Sequence, residues 1–140
     1  MAFSKKEFTL KQKKIFLKAL SYILNIEDTP SERKTEYLRL QAMELNVDLD
    51  KAVPKKALKP ADIVKDLAAF DDIRAKRYIL REMIILAIAD HELSDKEIKT
   101  IYEIGLLSGL KQEKIDDFFL WAAEGVEWQL NGLRLVEEDL

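Results

Sequence analysis

The chain has 140 residues, 48% of them hydrophobic and 35% charged, and its formal net charge is −3 at pH 7. This length and composition are typical of one globular domain with a sizeable core. The absence of cysteine excludes disulfides and thiolate metal sites, and the single histidine, His91, excludes a zinc site built from several imidazoles of one chain. The N-terminus lacks the apolar segment of a signal peptide, and the longest apolar run, 83–89, is too short to span a membrane. We therefore expect a cytoplasmic protein.

The first half of the chain predicts two helices followed by a loop. Residues 8–26 carry apolar side chains at intervals of three and four, which indicates an amphipathic helix. The next helix is predicted to begin with Thr29 as its N-cap and Pro30 at its first position, and Glu32 lies three residues after the cap. It should end near residue 45, where Asn46 can adopt the left-handed conformation that stops a helix. A lysine-rich loop follows.

The second half predicts four more helices. Pro60 can open a short one that reaches residue 70, and Asp71 or Asp72 can cap a long one that ends near residue 89. Ser94 is the predicted cap of the next helix, which should end at Gly109, and 112–124 forms another. No segment alternates with the period of a strand. We predict an all-α bundle of six to seven helices in a single domain over 1–140, with halves at about 8–52 and 60–124 and an acidic tail at 125–140.

The two predicted halves resemble each other when the chain is shifted by 65 residues. Over 20–45 this shift gives seven identities, and it aligns NIEDTPSE (25–32) with DHELSDKE (90–97). The shared pattern is an amide or acid, then Glu, then Thr or Ser, then Glu, at a junction between two helices. The repeat therefore predicts two pseudo-equivalent helix–turn–helix halves with similar chemistry at their acidic corners.

Two interpretations of these corners remain open. In the first, a hydroxyl and the glutamate three residues later form a capping box, which accounts for Ser94 and Glu97 without any ligand. It leaves Asp90 and Glu92 unexplained, because the negative end of the preceding helix disfavours acids there. In the second, the carboxylates hold a hard divalent cation such as Ca²⁺ or Mg²⁺, which prefers oxygen ligands. The spacing differs from that of a twelve-residue EF-hand loop.

The segment LAIADHELSDKEIKTIYEIGLLSGL (86–110) resembles the TerB-like (tellurite-resistance TerB) family, and a weaker copy occupies 23–47. The resemblance implies an all-α bundle of two similar halves that acts in stress and tellurite resistance by interaction or sensing, without being an enzyme. It also implies divalent-cation binding by acidic residues. This chain has His91 where the family usually has a glycine, a change that disfavours a tight left-handed turn. The implied ligands are Asp90, Glu92, Glu97, Glu27 and Glu32.

Partner binding is predicted to involve aromatic residues. Trp121 and Trp128 either complete the core or form an apolar patch for a protein partner, such as a second copy in a homodimer. Six lysines lie in the first eighteen residues, and we expect them to form a solvated helix face rather than a contact with nucleic acid or a membrane surface. The predicted function is a binding or scaffold module with a divalent cation at the Asp90–Glu97 corner. The alternative is a structural interaction domain with no ligand, in which the acids only cap helices.

Overall fold

The computed structural model describes residues 3–139, and it contains a short 3₁₀ turn and seven α-helices. No strand occurs in that range, so the predicted all-α class is confirmed. The 3₁₀ turn is Lys5–Glu7, and the helices are α1 (Leu10–Leu24), α2 (Glu32–Glu44), α3 (Leu49–Ala52), α4 (Pro60–Leu67), α5 (Ile73–Ala87), α6 (Asp95–Leu107) and α7 (Gln112–Glu137).

Side-chain caps account for several helix starts. Ser94 caps α6 and forms the predicted capping box with Glu97, and Asp72 caps α5. Pro60 is the first residue of α4, as predicted. These interactions satisfy amide groups that have no partner inside the helix. The local sequence therefore determines where these helices begin.

The predicted cap of α2 is wrong by two residues. The N-cap is Ser31, whose hydroxyl accepts a hydrogen bond from the Lys34 amide at 3.2 Å. Thr29 and Pro30 lie in the turn before the helix, and Glu32 is the first helical residue rather than the third. Thr29 and Ser31 both offer a local start, and the helix uses the second one. Consequently Lys34, not Glu32, occupies the third helical position.

The two halves repeat with an offset of 63 residues, not 65. Residues 10 and 24, which bound α1, correspond to 73 and 87 of α5, and residues 32 and 44 of α2 correspond to 95 and 107 of α6. The caps Ser31 and Ser94 keep this offset, as do the left-handed residues Asn46 (φ 55°) and Gly109 (φ 97°). The sequence alignment was displaced because it matched Thr29, which is not a cap, with Ser94.

The core lies where α1 and α5 pack against each other, with α2, α4, α6 and α7 around them. Phe16, Leu17 and Leu20 of α1 are fully buried, and so are Ile79 and Met83 of α5. Their spacing of three and four residues places each set on one face of its helix. The two long helices therefore bring the corners that follow them, 25–31 and 88–94, to the same end of the bundle.

Helix α7 is twice as long as predicted, because it runs through Gly125 and Gly132 to Glu137. A glycine inside a helix costs about 1 kcal/mol relative to alanine and does not end it. Only Ile115 and Ala122 of this helix are buried. The segment predicted as an acidic tail is therefore mostly helical, and it extends past the packed body of the domain.

No helix within residues 3–139 combines the length and the apolar character required to cross a lipid bilayer.

Candidate functional site

The acidic corners of the two halves lie side by side and meet at one buried lysine. The ammonium group of Lys34 is 3.0 Å and 3.3 Å from the two carboxylate oxygens of Glu97. It is also 3.7 Å from Asp90 Oδ1 and 3.8 Å from Glu27 Oε1. Glu27 belongs to the first corner and the two other acids to the second, so the cluster joins the halves.

Lys34 and Glu97 form the buried centre of this cluster. The two residues are 2% and 1% exposed. Glu97 also accepts a hydrogen bond from the Ser94 amide at 3.0 Å, so one carboxylate caps α6 and pairs with the lysine of α2. A buried charge requires such compensation, because removal from water costs several kcal/mol per ion. Glu97 therefore caps a helix and also binds a cation, and that cation is the ammonium group of Lys34.

Three carboxylates face a single ammonium group, so the four side chains carry a formal charge of −2 when all are ionised. Glu27 is the most exposed of the three acids. The pKa of Glu27 is raised above its usual range, chiefly because its acid form can donate a hydrogen bond to the Glu97 carboxylate. Burial and the charges of Glu97 and Asp90 act in the same direction, and Lys34 opposes them.

The other predicted ligands lie outside this cluster. Glu32 and Glu92 are exposed, and the Glu92 amide donates a hydrogen bond to Asp90. Asn25 is directed back to its own helix, where its amide nitrogen donates to the Ser21 carbonyl oxygen at 2.9 Å. His91 adopts the left-handed conformation with φ 63°, so the turn that glycine favours in the family is present without glycine.

A divalent cation does not fit among these residues as they are arranged. Within residues 3–139, the His, Asp and Glu side chains form no group of three or more with the geometry to hold a metal ion. Ca²⁺ takes six to eight oxygen ligands at about 2.3–2.6 Å. The Lys34 ammonium is within hydrogen-bond distance of both Glu97 oxygens and faces the two other carboxylates. The position that a cation would need is therefore filled by Lys34.

Replacing Glu27 with glutamine is expected to raise the free energy of unfolding at pH 7 by less than about 1 kcal/mol. Because the pKa of Glu27 is raised in the folded state, the folded chain binds this proton more tightly. Protonated Glu27 contributes stability at a pH below its pKa in the unfolded chain. This contribution is lost as the pH rises through its pKa in the folded chain. Urea titrations at pH 7 and pH 4 measure the effect, and the gain from glutamine should be smaller at pH 4. A loss of stability at pH 7 would contradict this expectation.

A second buried carboxylate, which the sequence analysis missed, links α2 to α5. Glu82 accepts hydrogen bonds from the hydroxyl groups of Tyr37 and Tyr78, both at 3.0 Å, and Arg81 lies 3.6 Å from it. Burial raises the pKa of both tyrosines, and the negative charge of Glu82 raises it further. The only sequence signal for this cluster is the spacing of Tyr78 and Glu82, which places them on one face of α5.

The two tryptophans of α7 have different surroundings. Trp121 is 43% exposed, and the Arg81 guanidinium lies 5.1 Å from its ring centre. Trp128 is 77% exposed and lines a groove beside the second acidic corner, together with Arg33 and His91. His91 Nε2 lies 2.9 Å from Gln129 Oε1, which holds this part of α7 against the corner. The alternative in which the tryptophans complete the core is wrong for Trp128.

The N-terminal lysines do not form one continuous free patch. Lys5 is buried, and its ammonium group contacts Gln41 and Glu44 of α2. Lys18 pairs with Asp66 of α4 at 2.6 Å. These contacts attach the start of the chain to the bundle. The expectation that the remaining lysines form a solvated helix face, rather than a contact with nucleic acid or a membrane surface, stays a prediction.

The fold and its charge cluster define a class of protein, a helical domain of two similar halves joined by an internal ion pair. A crystal structure of a tellurite resistance protein from Nostoc punctiforme has the same fold, with a TM-score of 0.68. The two sequences are 18% identical, and the match covers 95% of this chain and 85% of that one. No family model and no curated protein matches the sequence. The predicted TerB-like resemblance is thus confirmed at the level of the fold.

Proposed function

We propose that this chain is a non-enzymatic binding or scaffold module with a TerB-like fold, and that its partner binds along the exposed face of α7. The observation that carries the proposal is the exposure of large apolar side chains on one helix. The last ten residues of α7 include several of them, which are Trp128, Leu130, Leu133, Leu135 and Val136.

The arrangement of these residues supports a binding surface. Trp128 and Val136 are 77% and 82% exposed, and contiguous exposed apolar side chains typically mark sites of protein interaction. Tryptophan and arginine are enriched among residues that dominate binding energy, and Arg33 lines the same groove as Trp128. We therefore expect Trp128 to be the centre of the contact.

The similarity to a tellurite resistance protein supports a role in the response to tellurite or related stress. A non-enzymatic role agrees with the surroundings of the buried carboxylates. Glu97 is committed to Lys34 and Ser94, and Glu82 is committed to two tyrosines. Groups held by fixed partners in this way are suited to joining helices rather than to transferring protons.

Site-specific photo-crosslinking in the native cells tests this proposal. A photoreactive amino acid placed at Trp128 should give a discrete crosslinked species. An adduct of twice the chain mass would identify a second copy as the partner, and an adduct of another mass would identify a different protein. The same amino acid placed at Met43 of α2, which is 62% exposed, is the matched control and should give no discrete adduct.

The proposal would be wrong if the protein with the photoreactive group at position 128 is folded, as measured by circular dichroism, but yields no discrete adduct. Equal adducts from positions 128 and 43 would also contradict it, because the contact would then not be specific to α7.

A further inference from the structure

The repeat shows why a lysine lies at the acidic corner. With the offset of 63 residues, Glu27 corresponds to Asp90, so both halves supply an acid at the end of the first helix of the pair. Ser31 corresponds to Ser94, and both serines are helix caps. The third helical positions, Lys34 and Glu97, also correspond, but they carry opposite charges. The charge reversal at this one pair of equivalent positions creates the ion pair.

A symmetric version of this corner would have a carboxylate in place of Lys34. Four carboxylates would then converge from the two halves, with a formal charge of −4 and no cation among the four side chains. Burial of such a group requires a bound cation or protons, because unpaired buried charges are strongly disfavoured. Lysine at position 34 reduces the formal charge to −2 and supplies hydrogen-bond donors to Glu97.

We infer that the Lys34 ammonium takes the place of the divalent cation that the resemblance implies at this corner, so that the two halves of the chain are joined without a bound metal. The inference stands on the contacts of Lys34 and does not depend on the proposed role of α7.

The decisive experiment titrates Ca²⁺, Mg²⁺ and Mn²⁺ separately into the metal-free full-length chain by calorimetry. The wild type is expected to give no saturable heat, and its Tm should be the same in EDTA and in millimolar concentrations of each ion. Saturable binding by the wild type that Asp90→Asn abolishes would overturn the inference, because the corner would then hold a metal although Lys34 is present.

The Lys34→Glu variant tests the same inference in the opposite direction. In EDTA it should have a lower Tm than the wild type, since it restores the four-carboxylate arrangement. Millimolar Ca²⁺ or Mg²⁺ should then raise its Tm by roughly 5 °C or more, as expected for a ligand that binds only the folded state. Lys34→Arg is the matched control. It keeps the positive charge and should remain insensitive to the ions.

Lys34→Met provides a second variant in case the glutamate variant does not fold in EDTA. It should also gain stability from a divalent cation, because three carboxylates remain without their ammonium partner. A divalent cation should replace the missing ammonium group in both variants, whether or not the variant is folded in EDTA. The inference is wrong if neither variant gains stability from any of the three ions.

Discussion

Replacing Glu97 with glutamine is expected to lower the free energy of unfolding by about 3–5 kcal/mol, the usual cost of removing one partner from a buried ion pair. Glutamine has nearly the same shape and can still accept the hydrogen bond from the Ser94 amide, so the α6 cap is retained. Lys34 would remain buried, with only Asp90 and Glu27 near it, at 3.7 Å and 3.8 Å. Urea denaturation at pH 7, followed by far-ultraviolet circular dichroism, measures the change.

Glu32→Gln is the matched control for this prediction. Glu32 is also in the first turn of its helix, but it is exposed, and its replacement should change the stability by less than about 0.5 kcal/mol. The double variant Lys34→Met/Glu97→Leu should recover much of the loss, because a well-packed apolar pair often replaces a buried ion pair without cost. A loss below about 1 kcal/mol in Glu97→Gln would show that the pair does not hold the halves together.

The second large effect is expected for Glu82→Leu, which should lower the free energy of unfolding by about 2–4 kcal/mol. The half-buried hydroxyl groups of Tyr37 and Tyr78 would lose their acceptor, and an unsatisfied polar group costs about 1–3 kcal/mol when it is fully buried. The Arg81 guanidinium would lose its nearby carboxylate as well. The added apolar contacts of leucine offset part of this cost. Chemical denaturation at pH 7 is again the measurement.

Tyr37→Phe tests one hydrogen bond of this network without removing the carboxylate. It should lower the free energy of unfolding by about 1 kcal/mol, because it removes one of the two donors and leaves Glu82 bonded to Tyr78.

A titration of tyrosine absorbance adds a second readout. Since the pKa of Tyr37 and Tyr78 is raised in the folded chain, the wild type should lose stability as the pH rises above about 10, where only the unfolded chain ionises. If Glu82→Leu were as stable as the wild type, the three side chains would not form a stabilising network.

Features that depend on neighbours within a few residues could be predicted from the sequence. The capping box of Ser94 and Glu97 and the proline at the start of α4 were predicted, and Asp72 was one of the two residues predicted as the cap of α5. The left-handed stop at Asn46 was predicted too. Each of these rests on a backbone preference or on a hydrogen bond that spans at most four residues, and such interactions are present in the local sequence.

Helix boundaries failed where the local signals were ambiguous. Thr29 and Ser31 are both acceptable caps by residue type, and α2 uses the second one. Helix α7 was predicted to end at residue 124, but it continues through Gly125 and Gly132, because a glycine lowers helix stability without forbidding the helix. The two-residue error at the cap then carried over into the repeat, whose offset is 63 residues.

The composition of the acidic corner depends on contacts between distant parts of the chain. Lys34 and Glu97 are 63 residues apart in sequence, and Tyr37 and Glu82 are 45 apart. Nothing in the local pattern distinguishes Lys34 from the exposed lysines, because its burial depends on how α2 and α6 are placed by the packing of α1 against α5. The sequence determined that carboxylates gather at the helix junctions. Only the fold decided that the positive charge among them belongs to the chain itself, since a contact between distant residues forms only when the core brings their helices together.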